Sequence, residues 1–283
     1  MNHFLLIALG LLVRVVAARA DDAATVYAHA CACCHGATGH GDGPAAVSPG
    51  EGFAPRPRDF TRGKFKLRST PSGQLPTDAD LLRTIERGIP RYMPAFTGST
   101  ANERRLAMEA VKRFYPGFAR TPPTPIAIPQ RPTLDAAAVA RGTALYQAAG
   151  CVACHGATGR GDGASAKDLK DGTGLRITPA DLRVPRNFKN GGTPDDVYRT
   201  IVTGLDDTPM ASYADALTAA QRWDLVAFIA SLAQREPPGG ARTATAVQRG
   251  NCARKRATAS SSHSFPVGPR TIVGGPRSVR RKR

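Results

Sequence analysis

Large aromatic side chains are scarce in this chain. A single Trp stands among 283 residues, and Phe, Trp and Tyr together make up 6%. The length suits two domains of ordinary size, so each core must be small or filled by something other than side chains. Cysteine is sparse too, and six residues are too few for a disulfide scaffold of this length. Acidic residues are outnumbered, 22 against 39 Lys plus Arg. The apolar run from Phe4 to Val16 is too short to span a bilayer comfortably, and no other stretch is long enough to try. Convincing apolar/polar alternation, the mark of half-buried strands, is missing as well. What is present is 41% hydrophobic residues, which excludes a wholly disordered chain.

The formal net charge of +17 invites a nucleic-acid reading, so its location matters. Residues 21–235 hold 26 basic and 21 acidic side chains, and residues 236–283 hold 11 and one. Most of the excess therefore belongs to the last 48 residues. That tail mixes Arg, Ala, Thr, Ser, Gly and Pro without periodicity and is expected to be disordered. Its clusters, Arg254-Lys255-Arg256 and Arg280 to Arg283, lack interleaved aromatics or a recognition fold. Lipid headgroups or an acidic protein suit it better than nucleic acid. An abrupt change of this kind would also follow from a shifted reading frame.

Residues 1–20 read as a secretory signal peptide, with Phe4 to Val16 as its apolar region and Ala18-Arg19-Ala20 as its cleavage site. Export to the periplasm is the expectation, with an uncleaved membrane anchor as the alternative.

The rest of the chain repeats itself. Cys31-Ala-Cys-Cys-His-Gly-Ala-Thr-Gly-His-Gly-Asp-Gly43 matches Cys151-Val-Ala-Cys-His-Gly-Ala-Thr-Gly-Arg-Gly-Asp-Gly163 at an offset of 120. Arg83-Thr84-Ile85 matches Arg199-Thr200-Ile201 at 116, and Met93-Pro-Ala-Phe96 matches Met210-Ala-Ser-Tyr213 at 117. Order and spacing survive with small insertions, so a domain has been duplicated. The first copy spans residues 21–120 and the second 133–235. Between them, residues 121–132 hold five prolines and read as a semi-rigid linker that keeps the domains apart but close.

Local signals in each copy are helical. Thr193 precedes Pro194 and two acids, the pattern of an N-cap, and Gly204 can end the helix after Ile201. Thr77, Asp80, Ile85 and Gly88 repeat the plan. A closing helix carries Leu225, Phe228, Ile229 and Leu232 at i, i+3, i+4 and i+7. The fold class is all-α, with long loops.

Cys31-x-x-Cys34-His35 and Cys151-x-x-Cys154-His155 are both Cys-x-x-Cys-His, the signature of covalent haem attachment. Two cysteines three apart on a tight helical turn can each form a thioether to a vinyl group of one haem. The adjacent His then points at the iron. A zinc site would want a second ligand pair at similar spacing, and neither copy supplies one. Two motifs in register imply two covalently bound haem c groups. For the sixth iron ligand the sequence offers Met93 and Met210, 58 and 55 residues after their histidines, each in a loop beyond a Gly-ended helix. Met108 sits within the closing helix of the first copy and reads as structural. His29 and His40 read as residues on the surface or near a haem propionate rather than as ligands.

Each copy resembles a class I cytochrome c domain, and the whole resembles a dihaem c-type cytochrome of the periplasmic electron-transfer type. The resemblance covers residues 21 to about 235 and rests on Cys-x-x-Cys-His-Gly, the Gly-Asp-Gly loop, the Met loop and the closing Trp223 to Ile229 helix. It implies that first and last helices cross beside each haem, with Tyr27 and Tyr146 on the first and Trp223 and Phe228 on the last. Haem would then supply much of each core. Two departures stand out: Cys33, read as a spare thiol unless it pairs with Cys252, and Arg105, where the second copy has Trp223. The function expected is single-electron transfer between redox partners, without substrate chemistry. A dihaem peroxidase and a cytochrome subunit of a larger, membrane-bound oxidoreductase are the alternatives. The basic segment Arg56 to Arg68 is a candidate docking surface for an acidic partner.

Overall fold

The computed structural model describes residues 22–46, 56–120 and 122–233. Four helices build the first repeat: α1 (Ala23–Ala30), α2 (Ala32–His35), α3 (Asp78–Arg87) and α4 (Ala101–Arg113). Four more build the second: α5 (Ala136–Ala148), α6 (Cys151–His155), α7 (Pro194–Thr203) and α8 (Ala219–Ala233). Among the described residues no strand forms, and the two β-bridges are isolated. No described helix is long and apolar enough to cross a membrane. Residues 1–20, read from sequence as a signal peptide, and the basic tail lie outside the described residues.

The helix ends follow from their residues. Thr77 and Thr193 each accept a hydrogen bond from the backbone N–H three residues on, while Asp80 and Asp196 reach back to the N-cap amide. These capping boxes satisfy two otherwise orphaned donors apiece. Gly88 and Gly204 stop the same two helices at φ 67° and 63°, a conformation that glycine adopts without steric cost. Asp22 and Asp135 cap α1 and α5 through their carboxylates.

Each core is the crossing of the repeat's first and last helices. In the second repeat Gly142 of α5 lies against α8 so closely that a Cβ there would stand 2.0 Å from the Asp224 carbonyl oxygen. Tyr146 packs on Phe228 with ring centroids 4.8 Å apart, and Trp223 on Tyr198 of α7 at 4.4 Å. In the first repeat Tyr27 meets Phe114 at 4.9 Å. Met108 is buried in this core, as its structural reading requires. Arg105 faces outward and pairs with Glu109 and Asn102, so the Tyr198–Trp223 stack has no counterpart there.

The linker is a strap rather than a spacer. Ile126 donates its N–H to the Ser69 carbonyl of the first repeat at 2.7 Å, while Ile126 and Ile128 pack on the core of the second. The repeats meet through charge. Arg68 is fully buried and donates to the carbonyls of Phe65, Pro71 and Thr203 and to Asp206 at 2.7 Å. Asp206 also accepts from Ser72 and from the Gly73 amide. Arg58 and Arg62 grip Asp207, and Lys66 stands 3.8 Å from Asp171. Four bases of the Arg56 to Arg68 segment thus find their acids within the chain, where the sequence reading offered them to an external partner. Long-range pairing of this kind leaves no periodic trace in a sequence.

Candidate functional site

The two Cys-x-x-Cys-His motifs lie on the short helices α2 and α6; Cys31 alone separates α2 from α1, and Ala149 with Gly150, at φ 76°, separates α6 from α5. In the first motif His35 donates its N–H to the Cys31 carbonyl at 2.9 Å, closing one helical turn, and the chain then reverses over glycine. Gly41 and Gly161 donate to the carbonyls of His35 and His155 at 2.9 and 2.8 Å. Gly39 and Gly159, at φ 78° and 75°, touch the ends of the closing helices. A Cβ on either would stand 2.7 Å from Phe114 or Leu232. The motif loop is therefore fixed to the last helix by contact that only glycine permits.

Both histidines are held the same way. Nδ1 of His35 lies 3.0 Å from the Arg58 carbonyl, and Nδ1 of His155 lies 3.0 Å from the Ala180 carbonyl. A carbonyl only accepts, so Nδ1 carries the proton in each ring. Burial pushes both imidazoles below their ordinary pKa and favours the neutral form. A neutral ring protonated on Nδ1 offers its Nε2 lone pair to a metal, in a fixed orientation. Phe60 stacks on His35 with centroids 4.4 Å apart. Leu182 takes its place in the second repeat, since Phe60 and Leu182 donate to the carbonyls of Gly39 and Gly159 at the same 2.7 Å.

Two tyrosines complete the frame. Tyr27 and Tyr146 donate their hydroxyls to the carbonyls of Gly36 and Gly156, the residues after each His, at 2.9 and 2.7 Å. Burial raises both phenols, so they remain donors. Their place on the first helix was anticipated; this hydrogen bond was not. The carbonyls of Arg58 and Ala180 were missed outright, because a backbone acceptor has no residue type to recognise.

The four motif cysteines Cys31, Cys34, Cys151 and Cys154 keep free thiols. Burial pushes the Cys31 thiol up to about 12 and raises Cys34 and Cys151. Cys33 is not the spare thiol its position suggests: it is disulfide-bonded. Cys252 lies outside the described residues.

Met93 and Met210 close tight turns beyond α3 and α7. Ile89 donates to the Met93 carbonyl, and Leu205 to the Met210 carbonyl, both at 2.9 Å. Arg91 and Asp207, at φ 71° and 65°, are the non-glycine residues with positive φ among the described residues, and each sits inside one of these turns. A cavity of about 270 Å³ in the first repeat is lined by Cys31, Ile85, Met93, Phe96 and Ala107, so the first cysteine and the methionine share one apolar space. His29 also lines it, from the exposed end of α1. In the second repeat Cys151 packs beside Tyr213, three residues beyond Met210, and the Tyr213 hydroxyl donates to the Ala149 carbonyl at 3.3 Å. His40 is a surface residue, hydrogen-bonded to Thr61 and 3.7 Å from Asp59.

Paired free thiols, neutral imidazoles offering Nε2 and an apolar wall form a donor set that fits a covalently held haem in each repeat. Comparison with known proteins agrees. Residues 139–233 match the cytochrome c family, and residues 18–108 match the subunit III family of cbb3-type cytochrome c oxidase. A chain of the reducing HAO-like protein complex of Kuenenia stuttgartiensis is 37% identical, with a TM-score of 0.71 over 75% of this chain and 96% of its own. The chain is a dihaem c-type cytochrome. No curated protein matched the sequence. Two covalently bound haem c groups with iron follow for this cytochrome, one in each repeat, and so does a role in electron transfer.

Proposed function

We propose that this cytochrome is an exported carrier that passes single electrons between redox partners through two His/Met-ligated haems and performs no substrate chemistry. The observation that supports it most is the matched pair of sites. In each, a neutral His fixed at Nδ1 follows a free cysteine pair, and a Met closes a hydrogen-bonded turn. A haem so held supplies one-electron chemistry without releasing a ligand. The chain's own residues hold and orient: Arg58 and Ala180 set the imidazoles, Tyr27 and Tyr146 brace the motif loops, and the crossed helices exclude water. His35 and Met93 are the proposed iron ligands in the first repeat, and His155 and Met210 in the second. The signal-peptide reading of residues 1–20 supports a periplasmic location for this carrier.

The similar chain from Kuenenia stuttgartiensis belongs to a complex with an HAO-like protein. That favours a second reading, in which this cytochrome is the electron-transfer subunit of a larger oxidoreductase. A dihaem peroxidase would need one iron to free its sixth position. Carbon monoxide added to the ferrous protein separates carrier from enzyme. The carrier reading expects no spectral change and no peroxide turnover; rapid binding at one haem, or turnover, would sink it.

A further inference from the structure

The two haem sites are joined through one residue. Arg58 belongs to the first repeat, and its backbone carbonyl lies 3.0 Å from Nδ1 of His35. Its guanidinium crosses the interface and donates to Asp207 Oδ2 at 2.8 Å. Asp207 is nearly buried, its side chain 7% exposed, and Arg62 adds a second, longer contact at 3.5 Å. Asp207 lies within the Leu205–Met210 turn and holds a positive φ of 65° there. A non-glycine residue in that conformation persists only where its surroundings hold it. Here part of the hold comes from the other repeat, through Arg58 and Arg62, beside the Gly172 amide of its own repeat, which donates to the Asp207 carbonyl at 3.1 Å. The first repeat's own turn is also touched from the other repeat: Arg91 takes the positive φ there, and Lys189 of the second repeat lies over the Tyr92 ring at 4.7 Å.

We propose that Arg58 is a positioning residue that couples the two sites, setting the His35 imidazole with its carbonyl and holding the Met210 turn through Asp207 with its guanidinium. The state of one repeat is then felt at the methionine turn of the other. This rests on the reading of His35 and Met210 as iron ligands. It adds that the second methionine is presented correctly only while the repeats are docked. The coupling is directional: the ion pair constrains the second site's turn, whereas the first site's imidazole is held by backbone that a side-chain change leaves in place.

The test uses the full-length holoprotein with Arg58→Gln, Asp207→Asn, both together, and Arg58→Lys. Three properties are read: amide hydrogen exchange at Leu205, the far-red sulfur-to-iron band of the oxidised protein, and both haem potentials. Either single change is expected to speed exchange at Leu205 by at least about tenfold, since Asp207→Asn leaves the Arg58 guanidinium without its acid and Arg58→Gln leaves Asp207 only the longer Arg62 contact. Each should also weaken the portion of the band that Met210→Ala removes and move that haem's potential more than its neighbour's. The double variant should be no worse than the worse single, because the two residues act as a unit, and Arg58→Lys should restore part of the effect. Unchanged exchange and unchanged potentials in both singles would overturn the proposal. If Met210→Ala leaves the band whole, the ligand reading fails instead, and the exchange measurement still decides whether the clasp holds the turn.

Discussion

Single residues carry the chemistry here, and most of them were legible. Cys31, Cys34, His35 and their partners in the second repeat announce themselves by spacing alone, and repetition in register removes coincidence. What spacing cannot supply is orientation. The proton on Nδ1 of His35 and His155 is fixed by carbonyls of Arg58 and Ala180, and any residue type provides a carbonyl. The methionines test the ligand reading at this scale. Met93→Ala and Met210→Ala should each remove about half of the far-red band of the oxidised protein, as one ligand set of two is lost. If neither does, the assignment is wrong. Gly142 makes a second prediction. A Cβ there would meet the Asp224 carbonyl oxygen at 2.0 Å, so Gly142→Ala should lower stability by about 1–3 kcal/mol through overpacking, read by chemical denaturation.

Elements were foreseen where their ends are written in side chains. The caps at Thr77 and Thr193 and the stops at Gly88 and Gly204 fall where the sequence placed them, because capping is a local hydrogen-bonding problem. Thr193→Ala removes the N-cap acceptor of α7 and should cost about 1 kcal/mol; an unchanged denaturation midpoint would contradict that. The closing helices buried the expected faces, with Leu225, Phe228, Ile229 and Leu232 all in the core. The linker's contacts were not legible. Five prolines speak for extension and stiffness, and both are compatible with a strap that pairs with Ser69 and packs on the second core. Composition fixes the stiffness of a segment, whereas what it lies against is a tertiary fact.

At the scale of the whole molecule, charge changes its meaning. The bases of the Arg56 to Arg68 segment could have served a partner protein, and sequence alone cannot tell self from other. The folded chain turns four of them on Asp171, Asp206 and Asp207. Arg68→Met should therefore destabilise the docked pair by about 3–5 kcal/mol, since it leaves Asp206 desolvated and short of its partner. Docking should also respond to pH. Burial, with Lys66 nearby, pushes the Lys189 ammonium from its ordinary 10.5 down to about 8. The unfolded chain then binds more protons than the folded one between those values, so stability rises as pH climbs through that window. Lys189→Gln should flatten the rise in a denaturation series. At the acid end Asp171 is held low despite its burial, by hydrogen bonds from Thr173 and by Lys66. Its contribution, present above the ordinary carboxylate range, is lost as pH falls through the folded value.

Two equivalent low-spin haems that only carry electrons should show themselves in an optical redox titration of the holoprotein. Two one-electron steps per chain are expected, with a far-red sulfur band in the oxidised form that disappears in proportion to reduction at both. One haem per chain, or a high-spin haem without that band, would contradict this.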